Sequence, residues 1–170
     1  MFVAADVHYR ASAGARAAAV VAADAAFANL LTDRIGMVPE VRPYRPGQFW
    51  LRELPALRAA LDGLIGMVLL IVDGYADLGP DGRPGLGAHA HFEFAVPVIG
   101  VAKSAFRTAT HAIPVLRGTS ARPLYVTAAA MPRAEAADLV QRMAGRYRLP
   151  DALRRADTLA RHGLPQTIRH

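Results

Sequence analysis

The chain has 170 residues with 20 lysine or arginine side chains against 14 aspartate or glutamate, a net charge of +6, and no cysteine. That length suits one domain, 1–170, with a good core, and the missing thiols exclude disulfides and thiolate metal sites. Any metal must be held by oxygen or imidazole, and carboxylates favour magnesium or manganese. No apolar run approaches the ~20 residues of a membrane span, and no basic segment followed by an apolar core opens the chain, so the expectation is a cytoplasmic protein.

In chain order, residues 2–9 read as a strand, 16–24 as a second after the small-residue turn at Gly14, and 27–31 as a short third; the tight joins predict an antiparallel meander. Leu57, Leu61 and Leu64 share a helical face, with Pro55 suited to a first turn, a start that could lie earlier, and Gly63 and Gly66 ending the helix. Residues 67–72 are continuously apolar, as in a strand covered on both faces. A glycine-rich and proline-rich stretch, 74–87, is expected to be a flexible loop without a phosphate-binding pattern. A short helix at 88–94 and a strand at 96–101 make parallel crossovers. A strand at 124–128, an amphipathic helix at 133–147 and a last helix at 150–161 complete a mixed sheet flanked by helices.

Several charged residues invite a chemical reading. Asp6 and Asp73 each follow an apolar strand, so two strands can deliver carboxylates to one sheet edge and suggest a metal site; equally, each aspartate can simply begin a turn. Glu53 lies near a helix start, where the dipole favours a carboxylate, but Phe49, Trp50 and Leu54 around it make a poor surface. Asp157 shares helical spacing with Leu153, Ala160 and Leu164, and so either faces a site or lies at the edge of the apolar stripe. The basic side chains comprise nineteen arginines and one lysine. Lys103 stands just beyond an apolar strand, where a mobile ammonium can meet a phosphate. The positive balance suits a polyanion such as nucleic acid, and charge alone allows ribosomal or membrane-surface roles as well. His89 and His91 diverge on a helix, which argues against a shared metal.

The order of elements resembles the ribonuclease-H-like fold. The residues narrow this: DVHY (6–9), PYRPGQFWLRELPAL (43–57), LLIVDG (69–74), VPVIGVAK (96–103), RPLYVTAA before and along the late strand, and YRLPDALRRAD (147–157) are similar, in order, to endonuclease V. That resemblance implies an α/β fold and a magnesium- or manganese-dependent endonuclease acting in DNA repair. Such an enzyme recognises deaminated purine, chiefly inosine, and cuts at the second phosphodiester on its 3′ side. It implies that Asp6, Glu53 and Asp73 are catalytic metal ligands, that Asp157 holds the fourth acidic position, and that Lys103 lies near the scissile phosphate. Pro43, Tyr44, Arg45 and Pro46 match a loop used as a wedge beside the lesion. Prolines on both sides stiffen that loop, and an aromatic ring can fill the gap left by an extruded nucleotide. Equally, this loop can be a rigid surface turn with a packed tyrosine.

Two hard cations about 4 Å apart can activate water and neutralise a phosphoryl group, and a few carboxylates suffice to hold magnesium. Crowded without metal, such carboxylates are expected to have raised pKa values. Three departures touch recognition. GYADLGPDGRPGLGAH replaces the His-Pro-Arg-type stretch after Asp73, residues 104–122 form a short segment, and TAAAM stands where the family has a small residue and Gly-His. The expectation is therefore an active, monomeric enzyme on inosine-containing nucleic acid, with DNA and RNA both compatible. The alternatives are a weak or inactive nucleic-acid-binding relative, or a metal nuclease with another substrate.

Overall fold

Alanine-rich strands bury both of their faces at the centre of the fold, a context that overrides alanine's low intrinsic preference for strands. The computed structural model describes residues 1–10, 14–43, 45–46 and 48–164. In chain order the elements are β1 (Phe2–Tyr9), β2 (Ala15–Ala22), β3 (Leu30–Val38), α1 (Trp50–Leu61), β4 (Leu69–Asp73), α2 (Leu86–Phe94), β5 (Val98–Ala102), β6 (Ile113–Val115), β7 (Leu124–Ala129), α3 (Arg133–Arg142) and α4 (Asp151–His162). They form a seven-stranded sheet of order β3-β2-β1-β4-β5-β7-β6. β1 to β3 are the antiparallel meander, and β1, β4 and β5 run parallel. β7 returns antiparallel to β5, with β6 on its far edge.

Residue alternation along the strands divides the core. Val3, Ala5, Ala17, Ala19, Leu70 and Val72 pack against α1 and α2. Ala4, Ala18, Val20, Ile71, Ile99 and Val126 pack against α3 and α4. Alanine on both faces of β1 and β2 lets helices approach closely, and Gly36 extends this to β3: an added Cβ there would lie 2.1 Å from the backbone nitrogen of Ala60 in α1.

Several boundaries differ from the sequence reading. The third strand begins at Leu30 because the Asp24 carboxylate accepts the N–H groups of Ala28 (3.1 Å) and Asn29 (2.8 Å), holding a turn that contains Phe27. Phe27 is buried there at φ 56°. α1 starts at Trp50 and carries Pro55 inside it. Burial of Leu54, Leu57 and Leu61 on one face outweighs the hydrogen bond that proline cannot donate. α3 ends at Arg142, short of 147. The loop expected to be flexible is tied by hydrogen bonds from Leu78 N–H to the Arg83 carbonyl (2.7 Å) and Gly85 N–H to the Ala76 carbonyl (2.9 Å). The three-residue β6 was not foreseen, since Pro114 at its centre reads against a strand and is tolerated only on a sheet edge. Among the described residues, no helix is long and apolar enough to cross a membrane.

Candidate active site

Asp6 and Asp73 occupy neighbouring parallel strands. The register pairs Ala5 with Val72, so each carboxylate stands one residue further on, and alternation sends both to the face that Ala4 and Ile71 share with α4. Asp73 pairs in turn with Val101 of β5, which puts Lys103, two residues on, at the same edge and face. Its ammonium donates to Asp73 Oδ2 and lies 3.9 Å from Asp157 Oδ1 of α4. Arg161, one turn along α4, holds Asp157 from the other side through two hydrogen bonds of 3.0 Å. Glu53 approaches from the opposite layer. It sits in the first turn of α1, 7% exposed, and accepts a hydrogen bond of 3.0 Å from the Tyr9 hydroxyl.

Electrostatics follow from this crowding. Burial, and then the charge of Asp73, push Asp6 up to about 7, against the opposing pull of Lys103. Burial pushes Glu53 up to about 8, with Asp6 and Asp73 adding to the rise and the Tyr9 hydrogen bond opposing it. The Arg161 hydrogen bonds hold Asp157 below its ordinary value despite partial burial. Burial lowers the Lys103 pKa, but its hydrogen bond to Asp73 and the surrounding carboxylates outweigh this and the net shift is upward. The expectation of raised carboxylates therefore holds for Asp6 and Glu53 and not for Asp157, which has arginine as a partner.

The oxygen donors are hard and suit magnesium or manganese. As the side chains stand, no three His, Cys, Asp or Glu residues among those described are close enough to share an ion. Lys103 supplies the positive charge beside Asp73 and Asp157. Beside Glu53, Asp73 and Lys103 opens a cavity of about 580 Å³, walled by Phe49, Trp50, Tyr75, Leu86 and Phe106. His89 backs it, stacked on Trp50 with ring centroids 3.7 Å apart. Tyr75 comes from the altered loop, and its hydroxyl donates to the Ser104 carbonyl at 2.7 Å. Thr127 of β7 seats that loop by accepting the buried N–H of Ala76 at 2.7 Å.

Pro43, Arg45 and Pro46 lie before α1, with Arg45 and Pro46 exposed, while Tyr44 falls outside the described residues. Sequence reasoning missed the supporting residues. Tyr9 was legible as the next-but-two residue of Asp6's own strand, whereas Arg148, whose guanidinium holds the Lys103 carbonyl, acts from 45 positions away and left no local signal.

A meander followed by parallel strands, with carboxylates on one face of adjacent strands and another on the last helix, defines a ribonuclease-H-like domain with an acidic site. The Endonuclease V family matches residues 1–118. An endonuclease V of Rhodospirillum centenum is 37% identical over 84% of this chain and 68% of its own length. One from Streptomyces avermitilis is 31% identical over 95% and 79%. The chain belongs to the endonuclease V family, whose members are nucleases. The crystal structure of a Streptomyces avermitilis endonuclease V, 31% identical, superposes with a TM-score of 0.74 over 94% of this chain and 79% of that one. A Ciona intestinalis endonuclease V, in complex with a 23mer DNA containing an inosine followed by a ribo-adenosine, shares the fold at 19% identity and a TM-score of 0.76, over 94% and 83%.

Proposed function

We propose that this chain, acting as a monomeric single domain in the cytoplasm, is a magnesium- or manganese-dependent endonuclease that hydrolyses a phosphodiester on the 3′ side of inosine in DNA or RNA. The observation that carries the reading is that Glu53, Asp73 and Lys103 line an aromatic-walled cavity large enough for an extruded purine, with Asp6 beside Asp73 on the neighbouring strand.

Asp6, Glu53, Asp73 and Asp157 supply the oxygen donors for the cation. When bound, that cation contributes Lewis acidity toward water and phosphate. Phe49, Trp50, Tyr75 and Phe106 offer ring faces to the extruded base and exclude water from it. Lys103 turns from Asp73 to the phosphate, where an ammonium stabilises charge that develops on the oxygens. Pro43, Tyr44, Arg45 and Pro46 form the wedge, with Arg45 meeting a neighbouring phosphate. The Tyr9 hydroxyl favours the ionised form of Glu53 against the burial that raises its pKa. Support for the base pocket comes from Tyr75, which provides an aromatic wall from the loop that lacks the family's His-Pro-Arg stretch.

The test incubates labelled inosine-containing and undamaged strands with manganese and the protein, beside an Asp73→Asn variant. Cutting of the inosine strand alone, abolished by the substitution, is expected. Equal cutting of both strands sinks inosine specificity, cutting by the variant sinks the site, and binding without cutting favours a binding module.

A further inference from the structure

The loop between α3 and α4 presents a second, basic surface. Arg146 and Arg154 both pack on the ring of Tyr147, their guanidinium carbons 5.0 and 4.3 Å from its centroid, and Arg146 donates to the Tyr147 hydroxyl at 2.9 Å. With Thr119, Ser120, Arg148 and Leu149 they line a groove of about 660 Å³. Tyr147 remains 46% exposed. Asp151, 3.4 Å from Arg154, offsets one of these charges and leaves the groove positive.

Hydrogen bonds from Arg117 and Arg148 to backbone carbonyls hold this surface in shape from beneath. Arg117, 4% exposed, donates to the carbonyls of Met143, Gly145 and Tyr147. Arg148 donates to those of Lys103, Arg122 and Pro123. The loop backbone is thereby fixed, while Arg146 and Arg154 point outward on an aromatic platform. Two guanidinium groups beside an exposed ring match the chemistry of a phosphodiester strand, in which phosphates alternate with stackable bases.

The groove also lies near the acidic site along α4. Arg154, Asp157 and Arg161 lie at i, i+3 and i+7 on one face of α4, so Arg154 is about 4.5 Å along the helix axis from Asp157. Arg148 joins the same loop to Lys103. We infer that the groove of Arg146, Tyr147 and Arg154 holds the nucleic-acid strand flanking the cleaved position, with the arginines on phosphate and Tyr147 against a base or sugar. This rests on the nuclease reading for its register, but its binding is measured without cleavage.

The experiment measures equilibrium binding of labelled single strands, in calcium without magnesium or manganese, to the full chain and to Arg146→Gln, Arg154→Gln and the double variant across a salt series. Arg133→Gln, on the exposed start of α3, controls for generic loss of charge, and thermal melting checks folding. The double variant is expected to bind about 10-fold more weakly, with a salt slope shallower by roughly 1.4 from two lost phosphate contacts. Arg133→Gln should match the parent. Shortening the strand on one side of the inosine should erase the difference between parent and double variant. An unchanged slope, a difference that persists with both flanks removed, or an equal loss in Arg133→Gln overturns the assignment. Salt-dependent binding lost only in the groove variants, in a chain that cuts no strand, keeps this surface and removes the nuclease reading alone.

Discussion

The Tyr9 hydroxyl donates to Glu53 Oε1 at 3.0 Å and so ties the end of β1 to the first turn of α1. Alternation along β1 makes this possible, since Asp6 leaves on the α4 face while Tyr9, three residues on, leaves on the α1 face. One strand thus contributes a site carboxylate and steadies another from the opposite layer. The guanidinium of Arg52, 4.3 Å from the Tyr9 ring centroid, adds positive charge to the same corner.

Replacing Tyr9 with phenylalanine removes a donor that favours ionised Glu53. Burial already lifts that carboxyl to about 8, and a hydrogen bond to a charged group is worth ~1.5–3 kcal/mol, or about one to two pKa units. The acid limb of the cleavage pH profile should therefore move to higher pH in Tyr9→Phe, while the alkaline plateau is retained. An unmoved limb in a folded variant would show that Glu53 does not set it.

Metal and pH should be linked through the same carboxylates. In the folded chain Asp6 lies at about 7 and Glu53 at about 8, whereas in the unfolded chain both titrate near ~4. Between those limits the folded state keeps protons that the unfolded state has released, so metal-free stability falls as pH rises from about 4 to about 8. The cation takes the deprotonated groups. At a concentration of 100 Kd it adds ~2.7 kcal/mol, or roughly 5–10 °C in Tm for a chain of this size. Thermal melting with and without manganese should show that gain at pH 8 and little of it at pH 5; equal gains at both would separate the metal from Asp6 and Glu53.

The central strands were legible because they are apolar runs bounded by small residues, and Asp6 and Asp73 could be placed on one edge because both end such runs, whereas β3, with Thr32, Asp33 and Arg34 inside it, and the short β6 carry no such run. Lys103 stood out beyond an apolar strand and Glu53 among apolar neighbours near a helix start, while their place in one site with Asp6 and Asp73 followed from the family resemblance. What stayed hidden depends on particular side-chain contacts rather than on the apolar pattern. Asp24 closes a turn that takes Phe27 out of β3, and Pro55 obscured the true start of α1 because its interior position is tolerated only through burial of the helix face. Arg161 reverses the expected shift at Asp157, which i, i+4 spacing could have signalled.

Gly36 sets how closely α1 lies on β3, and therefore where Glu53 stands. A Cβ at this position meets the backbone of Ala59 and Ala60 at 2.1 to 2.7 Å, and a helix backbone cannot yield as a flexible side chain does. Gly36→Val should cost ~1–3 kcal/mol or more, read as a lower urea midpoint. The fraction that remains folded should need more manganese for half-maximal cleavage. A midpoint equal to the parent's would mean that the helix shifts without strain.

Arg148 is expected to act on catalysis through Lys103. Its guanidinium donates to the carbonyls of Lys103 and Pro123 and, through Nε, to that of Arg122, so one planar fork fixes the strand end that bears the ammonium. Lysine has charge but no fork, and Arg148→Lys should lower kcat about 10-fold while leaving the manganese requirement near the parent value. Lys103→Gln should lower kcat about 100-fold, within the range for losing one group that stabilises transition-state charge. If Arg148 works by positioning that ammonium, its substitution costs little once Lys103 is already glutamine, and the two losses fall short of additivity. Fully additive losses in the double variant would assign Arg148 to the strand-binding groove rather than to the placement of Lys103.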